Sequence, residues 1–186
     1  MRIISGKFKG KSIDFIKSST TRPLKDSVKE NIFNILLHSN LFNIEIEKSN
    51  VLDLYSGVGS FGLECISRGV KSLTFVENNK NAITILRKNL LSLSVNNSAE
   101  IIEDALINFL HKNNKQFNII FFDPPFADNS FIEEIKFIYK KRFYKKKHII
   151  IIHRQRNSKD DLESVLDILT VKKYGRSKII FGKFST

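Results

Sequence analysis

The feature that most constrains this chain is a rhythm. Five short apolar runs, "VLDLY" (51–55), "KSLTFVE" (71–77), "AEIIE" (99–103), "NIIFFD" (118–123) and "HIIIIH" (148–153), are each followed by a stretch of helical character. Those stretches are "LECISRG" (63–69), "NKNAITILRKNLLSL" (79–93), "ALINFLHK" (105–112), "FIEEIKFIYKKRF" (131–143) and "KDDLESVLDIL" (159–169). Strands that are apolar on both faces must be covered on both faces, so the pattern predicts a parallel sheet buried between helical layers. The end, "TVKKYGRSKIIFGKF" (170–184), reads as two strands turning at Gly175. The expected fold is therefore α/β, a doubly wound, mostly parallel, seven-stranded sheet. Ligands of such sheets bind at the carboxyl ends of the strands.

Ahead of this core lies a different segment. "RIISGKFKGKSIDFI" (2–16), punctuated by Gly6 and Gly10, predicts a short hairpin, and "SSTTRPL" (18–24) a polar connection. A helix is expected from about Ser27, with Glu30 completing a capping box and Val28, Ile32, Ile35 and Leu36 on its apolar face. With 186 residues the chain is expected to be one domain, residues 1–40 forming a small basic hairpin-and-helix extension. The net charge of +12 favours a polyanionic partner. The basic residues before and around the first helix, Arg2, Lys7, Lys9, Lys11, Arg22, Lys25 and Lys29, are candidates for RNA phosphate contact; an ordinary solvated surface is the alternative. One cysteine, Cys65, permits no internal disulfide, and no apolar run is long enough to span a bilayer. A cytoplasmic monomer is expected.

Gly57, Gly59 and Gly62 form a G-x-G-x-x-G between the first strand and the following helix. Such a loop lets a ligand approach bare backbone at a helix N-terminus. Glu77, ending the second strand twenty residues after Gly57, is placed to accept hydrogen bonds from ribose hydroxyls. Up to this point a nicotinamide dinucleotide and S-adenosylmethionine (SAM) fit equally. Asp53 favours SAM, because a carboxylate there attracts an ammonium and repels a pyrophosphate. Asp104 stands where an adenine edge is read, or where a helix N-cap is needed.

The chain has three prolines, and two stand together in "DPPF" (123–126) after the fourth strand. Proline fixes φ and donates no hydrogen bond, so the strand ends in a stiff loop. In a doubly wound sheet this loop faces the glycine loop. An exocyclic amine on a base is a poor nucleophile because its lone pair is delocalised. The Asp123 carboxylate and Pro124 carbonyl are each placed to accept one of its hydrogens, with Pro125 stiffening the loop and Phe126 offering a stacking face. Cys65 reads as core. The histidines show no metal-ligand spacing with cysteine, and no metal is expected.

On "RIISGKFKGK", "TRPLKDSVKENIFNIL", "VLDLYSGVGSFGLECISRG", "FVENN", "DPPF" and "YGRSKIIF", the chain resembles class I, Rossmann-like SAM-dependent methyltransferases with an N/DPPF amino-methylation motif. More narrowly, it resembles the bacterial guanine-N(2) methyltransferases that modify guanine 966 of 16S rRNA. The resemblance implies SAM contacts around Asp53, Tyr55, Gly57, Gly59, Gly62, Glu77, Asn78, Asp104 and Ala105. It implies that Asp123, Pro124, Pro125 and Phe126 hold the target guanine, in the small ribosomal subunit or its late precursor. Two residues depart from the family pattern: Val58, where a small hydroxyl residue is common, and His153, where an acidic residue often ends the fifth strand. Rival readings are an adenine-N6 methyltransferase on DNA or RNA, a nicotinamide-dependent oxidoreductase, and an RNA-binding module with a decayed site.

Overall fold

The computed structural model describes residues 1–16 and 24–185; Arg22 and most of the polar connection lie outside the described residues. The elements in chain order are α1 (Asp26–His38), β1 (Asn50–Leu54), α2 (Ser60–Ser67), β2 (Ser72–Glu77), α3 (Lys80–Ser92), β3 (Glu100–Glu103), α4 (Leu106–Lys112), β4 (Phe117–Phe122), α5 (Phe131–Lys141), β5 (Tyr144–Gln155), β6 (Asp167–Tyr174) and β7 (Ser177–Lys183). The seven strands form one sheet in the order β3-β2-β1-β4-β5-β7-β6. β1 to β5 are parallel, and β7 runs antiparallel to both its neighbours.

Successive strand residues point to opposite faces, which divides the core in two. Val51, Phe75, Ile119, Phe121, Ile149 and Ile151 face one side, under α1, α2 and α3. Leu52, Leu54, Ile120, Phe122, Ile150 and Ile152 face the other, under α4 and α5. Every one of these strand residues is essentially inaccessible, as a two-sided sheet requires. The chain crosses from one edge of the sheet's middle to the other between β3 and β4. The carboxyl ends of β1 and β4 therefore lie side by side at the switch point.

Two expectations need correction. Residues 159–169 do not form a helix. Leu162 and Leu166 are buried against the α4–α5 face, one tight turn carries the chain between them, and Asp167 already pairs with Lys183 in β6. Pairing with β7 outweighs the local helical spacing. The N-terminal hairpin forms around the antiparallel bridge Arg2↔Ser12, with the amides of Ile3, Gly10 and Ile13 donating to the carbonyls of Lys11, Ile3 and Met1, and the segment bonds to α2 as well. Ile4 and Ser5 donate their amides to Glu64, at 2.7 and 3.0 Å, and Lys7 donates its amide to the Ser67 carbonyl. The capping box does not form: α1 begins at Asp26, with Lys25 at the cap position and no side-chain cap bond. No described helix is long and apolar enough to cross a membrane.

Candidate active site

A cleft of about 810 Å³ opens at the carboxyl ends of β1, β2 and β4. The loop after β1 enters it through Tyr55, a non-glycine residue at φ +56°, and Gly57 at φ +54°. Gly57, Val58, Ser60 and Phe61 line the cleft. Gly59 and Gly62 do not. They are buried, and a Cβ on either would overlap Phe75 or Leu86. Their part in the glycine motif is to let α2 pack closely on β2 and to bring the loop to its place.

Asp53 lies on the α2 side of β1 and is almost wholly buried. Its Oδ2 accepts the Gly62 amide at 2.9 Å, while Oδ1, also buried, has no partner among the described residues. Burial pushes this carboxyl well above the usual carboxylate range, and the charges of Asp123 and Glu77 add to the shift. An unpartnered buried carboxylate oxygen beside a cleft fits a cationic group such as the ammonium of SAM. Glu77 is tied into the loops around it. Its Oε2 accepts the Gly57 amide at 2.7 Å, and its Oε1 accepts those of Asn78 and Asn79. Those bonds aim the carboxylate at the cleft and leave lone-pair capacity for ribose hydroxyls. Asn78 and Asp104 line the cleft; Ala105, at the cap of α4, does not. Asp104 Oδ1 accepts from Asn108 and from the Ala105 amide, and these contacts hold its carboxyl below the usual range, the Asn108 bond foremost.

Asp123 to Phe126 form the facing wall. The sequence missed what holds them. Arg154, on β5, is 1% exposed. It donates to the Pro125 and Phe126 carbonyls at 3.0 and 3.2 Å, to Asn129, and to the buried Asp160, and its guanidinium lies over the Phe131 ring. This clamp takes the two carbonyls after Pro124. Among the described residues, no donor is bonded to the Pro124 carbonyl or to Asp123 Oδ2, the two acceptors that the amine chemistry needs. A buried arginine after an apolar strand was the available signal in "HIIIIHR", since arginine is seldom buried unpaired. Tyr55 donates its hydroxyl to Glu134 on α5 at 2.6 Å, bracing the loop after β1 against the same wall.

The extension closes a further side: Met1, Phe15, Ile16 and Leu24 line the cleft. Arg2, Lys7, Lys9, Lys11 and Lys25 are exposed on it. Lys29 is not, which corrects its assignment as an RNA contact. Its side chain is fully buried, its ammonium donating to the Arg2 carbonyl at 2.7 Å and lying 3.9 Å from Glu64. Burial draws it below the usual lysine range against the pull of Glu64 and Asp26. Lys29 is an internal tie between the extension and α2.

A family model described as "Conserved hypothetical protein 95" matches residues 1–183. Ribosomal RNA small subunit methyltransferase D of Buchnera aphidicola (subsp. Baizongia pistaciae) is 36% identical over 155 residues, covering 83% of this chain and 76% of the relative. The protein of the same description from Haemophilus influenzae is 32% identical, covering 84% and 80%. The solved structure of Escherichia coli yhhF superposes with a TM-score of 0.84 over 100% of this chain and 98% of that one, at 24% identity, and shows the shared class I fold. With a family match over nearly its whole length and relatives of this similarity, the chain belongs to the ribosomal RNA small subunit methyltransferase D family.

Proposed function

We propose that this protein transfers a methyl group from SAM to the exocyclic N2 amine of a guanine in small-subunit rRNA. The observation that carries the reading is the pair of open acceptors, Asp123 Oδ2 and the Pro124 carbonyl, in the cleft that also holds the unpartnered carboxylate oxygen of Asp53. Asp53 takes the ammonium of the cofactor, Glu77 its ribose hydroxyls, and Asn78 and Asp104 border its adenine. Bound SAM supplies an electrophilic methyl sulfonium. Asp123 and Pro124 accept the two amine hydrogens and so turn the nitrogen lone pair into the cleft, and the proton that the methylated nitrogen must lose would pass to the Asp123 carboxylate. Phe126 supports the base. Rate then comes from positioning and from fixed acceptors rather than from a strong base. The exposed bases of the extension contact phosphate beside the cleft, and the substrate is the small subunit or its late precursor, met by a single copy of the chain.

The test is methylation of small subunits from a strain lacking the activity, with labelled SAM and mass spectrometry of the nucleosides. Wild type should yield N2-methylguanosine. Asp123→Ala should abolish turnover and leave SAM affinity within a few-fold. N6-methyladenosine as the product would replace guanine by adenine in the proposal, and full turnover by Asp123→Ala would remove the amine-orienting role.

A further inference from the structure

The residue that departs from the family pattern at the end of β5 touches the residue on which the chemistry depends. Phe121 pairs with Ile151 and Phe122 with Ile152, so the next step in the same register sets His153 beside Asp123. His153 Nδ1 lies 2.8 Å from Asp123 Oδ1. A carboxylate only accepts, so Nδ1 carries the proton and donates it. His153 is 4% exposed, its Nε2 is buried without a partner among the described residues, and its ring meets Phe126 edge to face at 5.6 Å. A proton on Nε2 instead would leave a buried donor unsatisfied, which fixes the tautomer. On the other side of the ring's strand position, His153 pairs with Ile179 of β7, so the ring is held by sheet structure and not by a loop.

We infer that His153 is the positioning residue for Asp123: by occupying Oδ1 it directs Oδ2 alone into the cleft, and by packing on Phe126 it sets the plane against which the base rests. This rests on the amine-methylation reading above. An acidic residue at position 153 would repel the Asp123 carboxylate; histidine makes the contact a donated hydrogen bond and removes one of two equivalent rotations of the carboxylate. His153 does not touch the substrate amine in this arrangement. Its effect passes through Asp123.

Three variants test it, each assayed for turnover on small subunits, SAM affinity and melting temperature. His153→Ala should lower kcat by roughly 10- to 100-fold, the worth of a hydrogen bond to a charged acceptor, with SAM affinity unchanged. His153→Asn should recover most of that loss, because its side-chain amide nitrogen reaches the place of Nδ1. His153→Gln should not, because its amide nitrogen reaches the place of Nε2. Wild-type kcat in His153→Ala, or equal impairment of the Asn and Gln variants at wild-type melting temperature, would overturn the inference. The Asp123→Ala control separates the two levels. If it is inactive while His153→Ala is fully active, only the positioning role falls; if Asp123→Ala is itself active, the reading of the site falls and the positioning role with it.

Discussion

At the scale of single residues, Asp53 is the most unusual carboxylate in the cleft. Its carboxyl is buried with one oxygen bonded to Gly62 and the other to nothing among the described residues. The folded chain therefore holds the proton more tightly than the unfolded one, whose carboxyl has the ordinary value of about 3.9. The unfolded state ionises first, so this group makes the free protein less stable as pH rises from there to the raised folded value. A bound cation reverses the preference, and SAM affinity should rise with pH over the same window. Asp53→Asn keeps an acceptor for the Gly62 amide but removes the charge. The free variant should melt no lower than wild type at pH 8, while SAM binding weakens by about 1.5–3 kcal/mol and loses its pH dependence. Calorimetric titration at two pH values reads this directly, and undiminished affinity in the variant would take Asp53 out of the cofactor site.

At the scale of elements, the N-terminal segment is held by what it touches as well as by its own pairing. Two of its amides bond to Glu64, the Arg2 carbonyl bonds to Lys29, and Asn89 on α3 bridges Asp14 to the Val58 carbonyl in the glycine loop. Lys29 and Glu64 are both fully buried, but Glu64 keeps Arg68 at 2.8 Å and two backbone amides without Lys29, so what Lys29→Ala removes is chiefly the bond to the Arg2 carbonyl. Lys29→Ala should cost about 1–3 kcal/mol of stability and expose residues 1–14 to protease before the core yields. If the variant melts like wild type, Lys29 is not the tie that the contacts describe. Val58 uses its backbone carbonyl in this bridge, so the contact does not depend on the side chain it carries.

For the whole molecule, the question is how a cofactor cleft becomes selective for a large polyanion. The extension both walls the cleft, through Met1, Phe15, Ile16 and Leu24, and carries exposed Arg2, Lys7, Lys9, Lys11 and Lys25. Each phosphate contact makes binding fall by roughly 0.7–0.9 log unit per log unit of salt. Replacing Lys7, Lys9 and Lys11 together by Ala should flatten the salt dependence of small-subunit binding by about two to three of these increments and leave SAM affinity as it was. A wild-type salt slope in the triple variant would show that these lysines do not meet RNA.

Local patterns determined the parallel core. Runs such as "NIIFFD" and "HIIIIH" are apolar on both faces and need two helical layers, and glycines placed between strand and helix mark the ligand end. Asp53, Glu77 and Asp123 were legible because each ends or nearly ends a strand of that kind. Side-chain partnership was not legible. Lys29 looked like one more surface lysine until α2 brought Glu64 beneath it. Residues 159–169 carry helical spacing, yet β7 offered Asp167 a strand partner. Gly59 and Gly62 stood out in the glycine motif, but that Phe75 and Leu86 leave no room for a Cβ at either was decided by how the helices pack on β2. The bonds from Arg154 and His153 to the loop after β4 join residues about thirty positions apart, and only the β4–β5 register sets them in reach. Periodicity along a chain encodes which face is buried; which atoms meet across that face is decided by register and packing, which the chain acquires only when it folds.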